Sequence, residues 1–361
     1  MTTPTKSVKQ VELLTASQIA QFKRDGYLVL PAVLDPDLCR QARDQMWETI
    51  AANLPRMKRD DPSTWTPITE EESSRPRVPP PVGVEDPYFA GRDHKLSVRN
   101  GTEQLILDLA PRALWQVAEQ LLGAGTLVWP AGSDESGFNT GPCFMDDDIM
   151  GNLVNHMGAK AADLPEPSFT TEAMRLPATG PTWINGQGTR GLYCTLPQSP
   201  PHEAGYPSAH SDGACYGRVR LQLSAYIDDV GPNCGAFNVW PGSHARIWPE
   251  QWKAFKAGEK HTDKHLPVRM AGGYRDPVIG EIKADTEPVD GHGPAGTVVL
   301  WHTKILHIAG QNCSTDVIRQ ATIYGYLKSL EALPDALVVD DTDGDIWRDW
   351  SDEVRAISTC A

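Results

Sequence analysis

Two histidines and a carboxylate in the second half of the chain have the types and the order that hold a transition metal. His210 and Asp212 lie in the segment SAHSDG, residues 208–213, which runs towards a strand. Far downstream comes GTVVLWHTKILH, residues 296–307, ending on His307, with Arg319 twelve residues further on. Two imidazoles and one carboxylate on one face of an octahedral ion leave three positions open. That arrangement suits Fe(II), because two positions take a bidentate co-substrate and the third takes O2. His210 and Asp212, two apart at a strand end, can converge on one ion, and His307 must come from a strand that the fold brings alongside.

Other residues compete for these roles. His261 and Asp263 repeat the spacing, but inside the lysine-rich stretch KAGEKHTDKH, which has no strand signal and reads as a solvated loop. His202 and Glu203 are adjacent, so in an extended chain they point to opposite sides, and prolines surround them. His302 and His307 are an odd number of residues apart, so a continuous strand would offer one of them to the metal. His307 is preferred because the turn-like AGQN follows it and Arg319 lies at a workable distance; His302 is left with a structural hydrogen bond. Arg319 sits among Val317, Ile318, Ala321 and Ile323. A guanidinium buried there needs a partner, and a co-substrate carboxylate such as C5 of 2-oxoglutarate would bind it in a bidentate, charge-assisted way. Gln222, Ser224 and Tyr226 alternate onto one strand face, either lining a cavity or packing polar groups against helices.

The elements that must position these residues come in two textures. Helices come first. Thr15 and Gln18 form a capping box with Leu14 and Ile19 as a staple, and Gly26 stops the helix before a short strand at Tyr27–Leu30. Asp35 caps a second helix with Pro36 at its first position and Leu38, Ala42 and Met46 along one face. Helical periodicity returns at 103–122, with Pro111 starting a helix and Gly123 ending it. From about residue 190 short strands take over: 191–196, 218–227, 236–240, 296–302 and 317–326. This predicts one α+β domain, helices packed on a β-sandwich or jelly roll. Residues 1–13 read as a flexible tail, 14–328 as the single domain, 58–92 as a surface loop or lid, 131–188 as an insertion over the site, and 329–361 as an acidic C-terminal extension.

Bulk properties exclude several classes. The 361-residue chain has 40% hydrophobic and 22% charged residues, as soluble globular proteins do. Its net charge of −14 and pI near 5.1 argue against nucleic acid or an anionic membrane as partner, although Arg218 and Arg220 offer a local basic pair. Seven cysteines without a CxxC pair predict free thiols and a cytoplasmic protein. A monomer or homodimer is expected.

With these residues in view the chain resembles the phytanoyl-CoA dioxygenase family. LTASQIAQFKRDGYLVLPAVLDPDLC is similar to that family's opening helix–strand–helix, LSAYIDDVGPNCGAFNVWPGSH to its central strand pair, and GTVVLWHTKILHIAGQN with Arg319 to its distal-histidine strand and arginine. The resemblance implies a double-stranded β-helix (jelly-roll) core with N-terminal helices packed against it. It also implies an Fe(II)- and 2-oxoglutarate-dependent dioxygenase using O2 on a small-molecule substrate, with release of succinate and CO2. It carries His210, Asp212 and His307 over as metal ligands and Arg319 as the carboxylate anchor. One departure is Ala309, where the family commonly has serine; Ser224, Gln222 or Tyr193 would then supply that co-substrate hydrogen bond. Halogenating relatives lack the carboxylate at position 212, so its presence points to hydroxylation or another oxidation of an unactivated C–H bond. The acidic charge leans away from a CoA thioester. Two alternatives remain: a catalytically inert jelly-roll binding protein, and a cupin-like metal oxygenase that does not use 2-oxoglutarate.

Overall fold

The first helix, α1 (Ala16–Asp25), forms where both of its ends are satisfied locally. The Thr15 and Gln18 side chains close a capping box, and Gly26, left-handed at φ 80°, donates its N–H to the Phe22 carbonyl at 2.8 Å. In a computed structural model of the chain the described residues are 8–73, 89–98, 104–110, 112–127, 192–202, 206, 209–211, 220–256, 277–327 and 344–358. Strand β1 (Tyr27–Leu30) follows, then α2 (Pro36–Asn53), whose Asp35 cap accepts from the Asp37 and Leu38 amides. Ala42 and Met46 of α2 are buried as expected.

Further helices are α3 (Glu70–Ser73), α4 (Gln104–Leu109), α5 (Trp115–Leu122), α6 (Ser243–Lys256), α7 (Pro277–Asp285) and α8 (Asp352–Ala356). The strands are β2 (Phe89–Arg92), β3 (Lys95–Val98), β4 (Leu192–Thr195), β5 (Arg220–Tyr226), β6 (Phe237–Val239), β7 (Val289–Asp290), β8 (Val298–His302), β9 (His307–Ala309) and β10 (Arg319–Leu327). They form a seven-stranded sheet in the order β1-β8-β5-β10-β4-β3-β2 and a three-stranded sheet, β7-β6-β9, with antiparallel pairing throughout. Apart from the β2–β3 hairpin, neighbours in space are far apart in sequence, as in a jelly roll.

Alternation along each strand divides the large sheet into two faces. Leu28, Cys194, Leu221, Leu223, Val298 and Leu300 merge with Phe22, Met46 and Leu121 of the helices into one core. Tyr27, Tyr226, Val299, Trp301 and Ala321 point the other way and meet Phe237 and Val239 of the small sheet. The outer face of the small sheet, with Trp240 and Ile308, is covered by Ile247 of α6 and by Ile279 and Ile282 of α7. The fold is therefore α+β with a jelly-roll core and helices packed on it.

Several boundaries differ from the sequence expectations. The tail expected over 1–13 is shorter, because Val11 is buried and its N–H donates to the Ala113 carbonyl at 2.9 Å. The loop expected over 58–92 ends as strand β2, an edge whose pairing with β3 sequence pattern alone does not announce. A turn, in which Leu114 N–H donates to Ala110, delays α5 to Trp115. Pro111 itself and the 131–188 insertion lie outside the described residues. Within the 329–361 extension, Ile346, Trp347, Trp350 and Val354 join the main core, and both tryptophan rings lie against Phe22, at 5.8 and 5.5 Å.

His244, at the start of α6, ties these parts together. It is fully buried, its Nε2 lies 3.3 Å from the Lys23 carbonyl, and a Cβ added at Gly26 would fall 2.4 Å from its Nδ1. Burial pulls its pKa down from the ordinary 6.5 to about 4, opposed by the Lys23 carbonyl and Asp25. The unfolded chain thus takes up the proton first. The contribution of neutral burial is intact above pH 6.5 and is lost as the pH falls towards 4. Unfolding free energy should fall by about 3 kcal/mol over that window from this group, and urea titrations at several pH values should show a shallower fall in His244→Gln.

Candidate metal centre and co-substrate site

His307 opens β9 directly opposite His210. The two residues exchange both backbone bonds, His210 N–H to His307 at 3.0 Å and the reverse at 2.9 Å, as one antiparallel bridge. Side chains of such a pair leave on the same side, and the two imidazole centroids are 4.6 Å apart. His307 Nδ1 lies 3.0 Å from the Ile305 carbonyl. A carbonyl can only accept, so Nδ1 carries a proton, which leaves Nε2 as the nitrogen that can coordinate. Asp212 lies outside the described residues, and among the described residues no cluster of three or more His, Cys, Asp or Glu occurs. Two imidazoles on one side of a bridge fit Fe(II).

The wall beside His307 is aromatic. Phe237 stacks on Trp301 with centroids 4.0 Å apart and lies 4.9 Å from the His307 ring; Trp301 lies 5.8 Å from it. Trp301 Nε1–H donates to Gln222 Oε1 at 3.0 Å, so Gln222 is already tied to this wall. Ser224 is buried on the same inward face, next to Tyr226. The Tyr226 hydroxyl accepts the Phe237 N–H at 2.8 Å and links the two sheets, and burial pushes its pKa up to about 12. Gln222, Ser224 and Tyr226 thus face the interior between the sheets; the face packed on the helices belongs to Leu221, Leu223 and Ala225.

Arg319 opens β10 at the level of β4, paired with Thr195. It is 3% exposed, and among the described residues its bonds go to neutral acceptors and not to a carboxylate. Its Nε–H donates to the Gly235 carbonyl at 2.9 Å, and its terminal nitrogens donate to the Tyr193 carbonyl at 3.3 Å and Thr195 Oγ1 at 3.0 Å. The Tyr193 ring lies under the guanidinium at 5.3 Å. Among the described residues three of its five N–H groups have acceptors, and the terminal nitrogens have the geometry to hold a carboxylate. Thr195 and Gly235 were not legible as site residues, because only the register opposite Arg319 gives Thr195 its role. Gly235 has φ 85°, and a Cβ there would meet Arg319 Cβ at 3.3 Å.

The competing histidines separate cleanly where they are described. His302 is buried on the helix side, with its ring stacked on Trp350. The turn Thr303–Leu306 interrupts the strand, so it is the turn, and not unbroken alternation, that sends His302 and His307 to different faces. His202 is half-buried beside Tyr206, centroids 5.5 Å apart. Glu203, His261 and Asp263 lie outside the described residues.

The family model that matches is phytanoyl-CoA dioxygenase (PhyH), over residues 181–321, the stretch that holds His210, Asp212, His307 and Arg319. The match covers less than half of the chain and likens this stretch to a family of dioxygenases. No curated protein matches. Among solved structures the chain is similar to AviO1 from Streptomyces viridochromogenes Tue57, at 16% identity over 90% of this chain and 97% of that one, TM-score 0.42. It is similar to the alpha-ketoglutarate-dependent carbocyclase SnoK from nogalamycin biosynthesis, at 14% identity over 90% and 87%, TM-score 0.41. It is similar too to EctD from S. alaskensis, solved with 2-oxoglutarate and 5-hydroxyectoine, at 15% identity over 87% and 76%, TM-score 0.40. Among the described residues no helix is long and apolar enough to cross a membrane.

The inter-sheet link gives a test of this architecture. Tyr226→Phe leaves the buried Phe237 N–H without its acceptor, and it should lower unfolding free energy by about 1–3 kcal/mol. Denaturant unfolding of the two proteins measures the difference.

Proposed function

We propose that the protein hydroxylates, or otherwise oxidises, an unactivated C–H bond of a small-molecule metabolite, converting 2-oxoglutarate and O2 to succinate and CO2. His210, Asp212 and His307 hold the iron and Arg319 binds the far carboxylate of the co-substrate. The observation that carries this reading is Arg319: a buried guanidinium that has, among the described residues, no carboxylate partner and only three N–H acceptors. Such a charge is costly unless a ligand pairs with it. Gly235 beside the arginine and Val239 beside His307 are four residues apart on one chain, about 13 Å in extended conformation. The two side chains and a five-carbon diacid can share that span.

The iron supplies O2 activation when bound. The chain's own part is positional. The Ile305 carbonyl fixes the His307 tautomer. The Phe237–Trp301 stack excludes water from one side of the imidazoles, and Thr195 and Gly235 hold the guanidinium in place. Ser224, Gln222 and Tyr193 lie near this path, where Ser224 is the candidate to replace the serine hydroxyl absent at Ala309; Gln222 and Tyr193 act through Trp301 and Arg319. The acidic chain favours a small metabolite over a CoA thioester. Free thiols at Cys39, Cys194, Cys234 and Cys313 suit a cytoplasmic setting. A monomer or homodimer without nucleic-acid or membrane partners completes the reading.

Anaerobic addition of Fe(II) and then 2-oxoglutarate should give the weak visible charge-transfer band of the chelate. A protein that binds iron without the band would instead be an oxygenase that does not use 2-oxoglutarate, and one that binds no iron a binding protein. His210→Ala should cut substrate-coupled succinate formation by about 100-fold or more; retained coupling would sink the assignment. Arg319→Met should raise the KM for 2-oxoglutarate by about 10- to 150-fold, the equivalent of one or two charge-assisted hydrogen bonds.

A further inference from the structure

The turn that delivers His307 is built from the helix side of the large sheet. His302 ends β8 fully buried, among residues of the helix-side core. Its Nδ1 accepts the Lys304 N–H at 3.0 Å, and its carbonyl accepts the Ile305 N–H at 2.9 Å. Together these bonds orient the peptides of the turn. The Ile305 carbonyl lies in the next peptide, whose N–H, on Leu306, is held by Ser243, and it is the acceptor for His307 Nδ1 at 3.0 Å. His302, through its ring and its carbonyl, thus holds two peptides of the turn that leads to the next imidazole.

The His302 ring is itself held by the C-terminal segment. It stacks on Trp350 with centroids 5.1 Å apart and planes 21° apart, and Trp347 meets it edge-on at 5.2 Å. An imidazole that accepts a backbone N–H at Nδ1 carries its own proton on Nε2. A second bond braces the same turn: Leu306 N–H donates to Ser243 Oγ at 2.8 Å, and that hydroxyl donates to the Trp240 carbonyl at 2.6 Å.

We propose that His302, clamped by Trp350, is a positioning residue for the metal ligand His307, fixing its tautomer and ring angle through the Lys304 and Ile305 peptides. The proposal rests on the reading of His307 as a ligand. It makes the C-terminal segment, on the far side of the large sheet from the site, part of the construction of the metal centre. Partners in the shell behind a ligating histidine typically change metal affinity by about 10- to 100-fold.

Two variants separate the acceptor from the ring. His302→Asn keeps an acceptor near Nδ1, whereas His302→Phe keeps a ring against Trp350 and offers none. Fe(II) affinity of the apo-proteins is measured anaerobically against a chromogenic chelator, with thermal melting of each as the folding control. Nitrogen-15 spectra of the wild-type apo-protein report the histidine tautomers. His302→Phe should bind Fe(II) about tenfold or more weakly and His302→Asn within about threefold of wild type. The spectra should show His302 protonated at Nε2 and His307 at Nδ1. Unchanged affinity in His302→Phe, equal weakening in both variants, or a His302 proton on Nδ1 would each overturn the proposal. Should the Phe variant not fold, the wild-type tautomers and the Asn affinity decide it in the same two directions. A wild-type protein that binds no Fe(II) would remove the metal reading itself, a result distinct from wild-type binding that the variants leave unmoved.

Discussion

The two backbone hydrogen bonds exchanged by His210 and His307 are the constraint around which the site is arranged. An antiparallel hydrogen-bonded pair sends both side chains to one side of the ladder, so this bridge brings the imidazoles together without help from either side chain. The bridge needs β9 in place, and β9 depends on its pairing with β6, where Phe237, Asn238 and Val239 face Ala309, Ile308 and His307. The small sheet is in turn held to the large one by Tyr226 and by the Phe237–Trp301 stack. Loss of any of these contacts would reach the paired histidines through the backbone.

The large sheet serves two environments at once. Its helix-side residues are apolar and close-packed, with Val298, Leu300 and Leu223 fully buried. Its inward residues include Gln222, Ser224, Thr195 and Arg319, polar groups that are buried and bonded. An inward face of this kind costs stability unless its polar groups find partners. The helix-side core, which extends from α1 to the C-terminal tryptophans, offsets that cost. The same core packs the His302 ring, whose Nδ1 accepts a backbone N–H of the turn that leads to His307.

Electrostatics focus on one residue. The chain carries a net charge of −14, yet Arg319 is buried behind β4 and β10 with neutral acceptors around it. A buried cation without a carboxylate partner among the described residues favours a small anion over neutral ligands. Tyr193 contributes the face of its ring and its carbonyl to the surroundings of the guanidinium.

Much of the scaffold was legible in the sequence because its signals are local. The Thr15–Gln18 capping box, the Asp35–Pro36 start of α2 and the alternation in β5, β8 and β10 each depend on neighbours within a few residues. That His210 and His307 belong together was an expectation from residue type and spacing, and the backbone bridge pairs them; Asp212 lies outside the described residues. The β2–β3 hairpin, the partners of Arg319 and the burial of Trp347 and Trp350 were not legible. Thr195 meets Arg319 across 124 residues and Trp350 meets His302 across a turn of the whole fold. No local pattern records such pairings, because they are set by strand register and core packing. The sequence by itself determined which side chains could do chemistry and which segments would be helix or strand. Only the tertiary structure decided how the two histidines reach opposite faces, because a four-residue turn, held by the His302 ring and by the distant Ser243 hydroxyl, replaces the continuous strand that alternation alone would suggest.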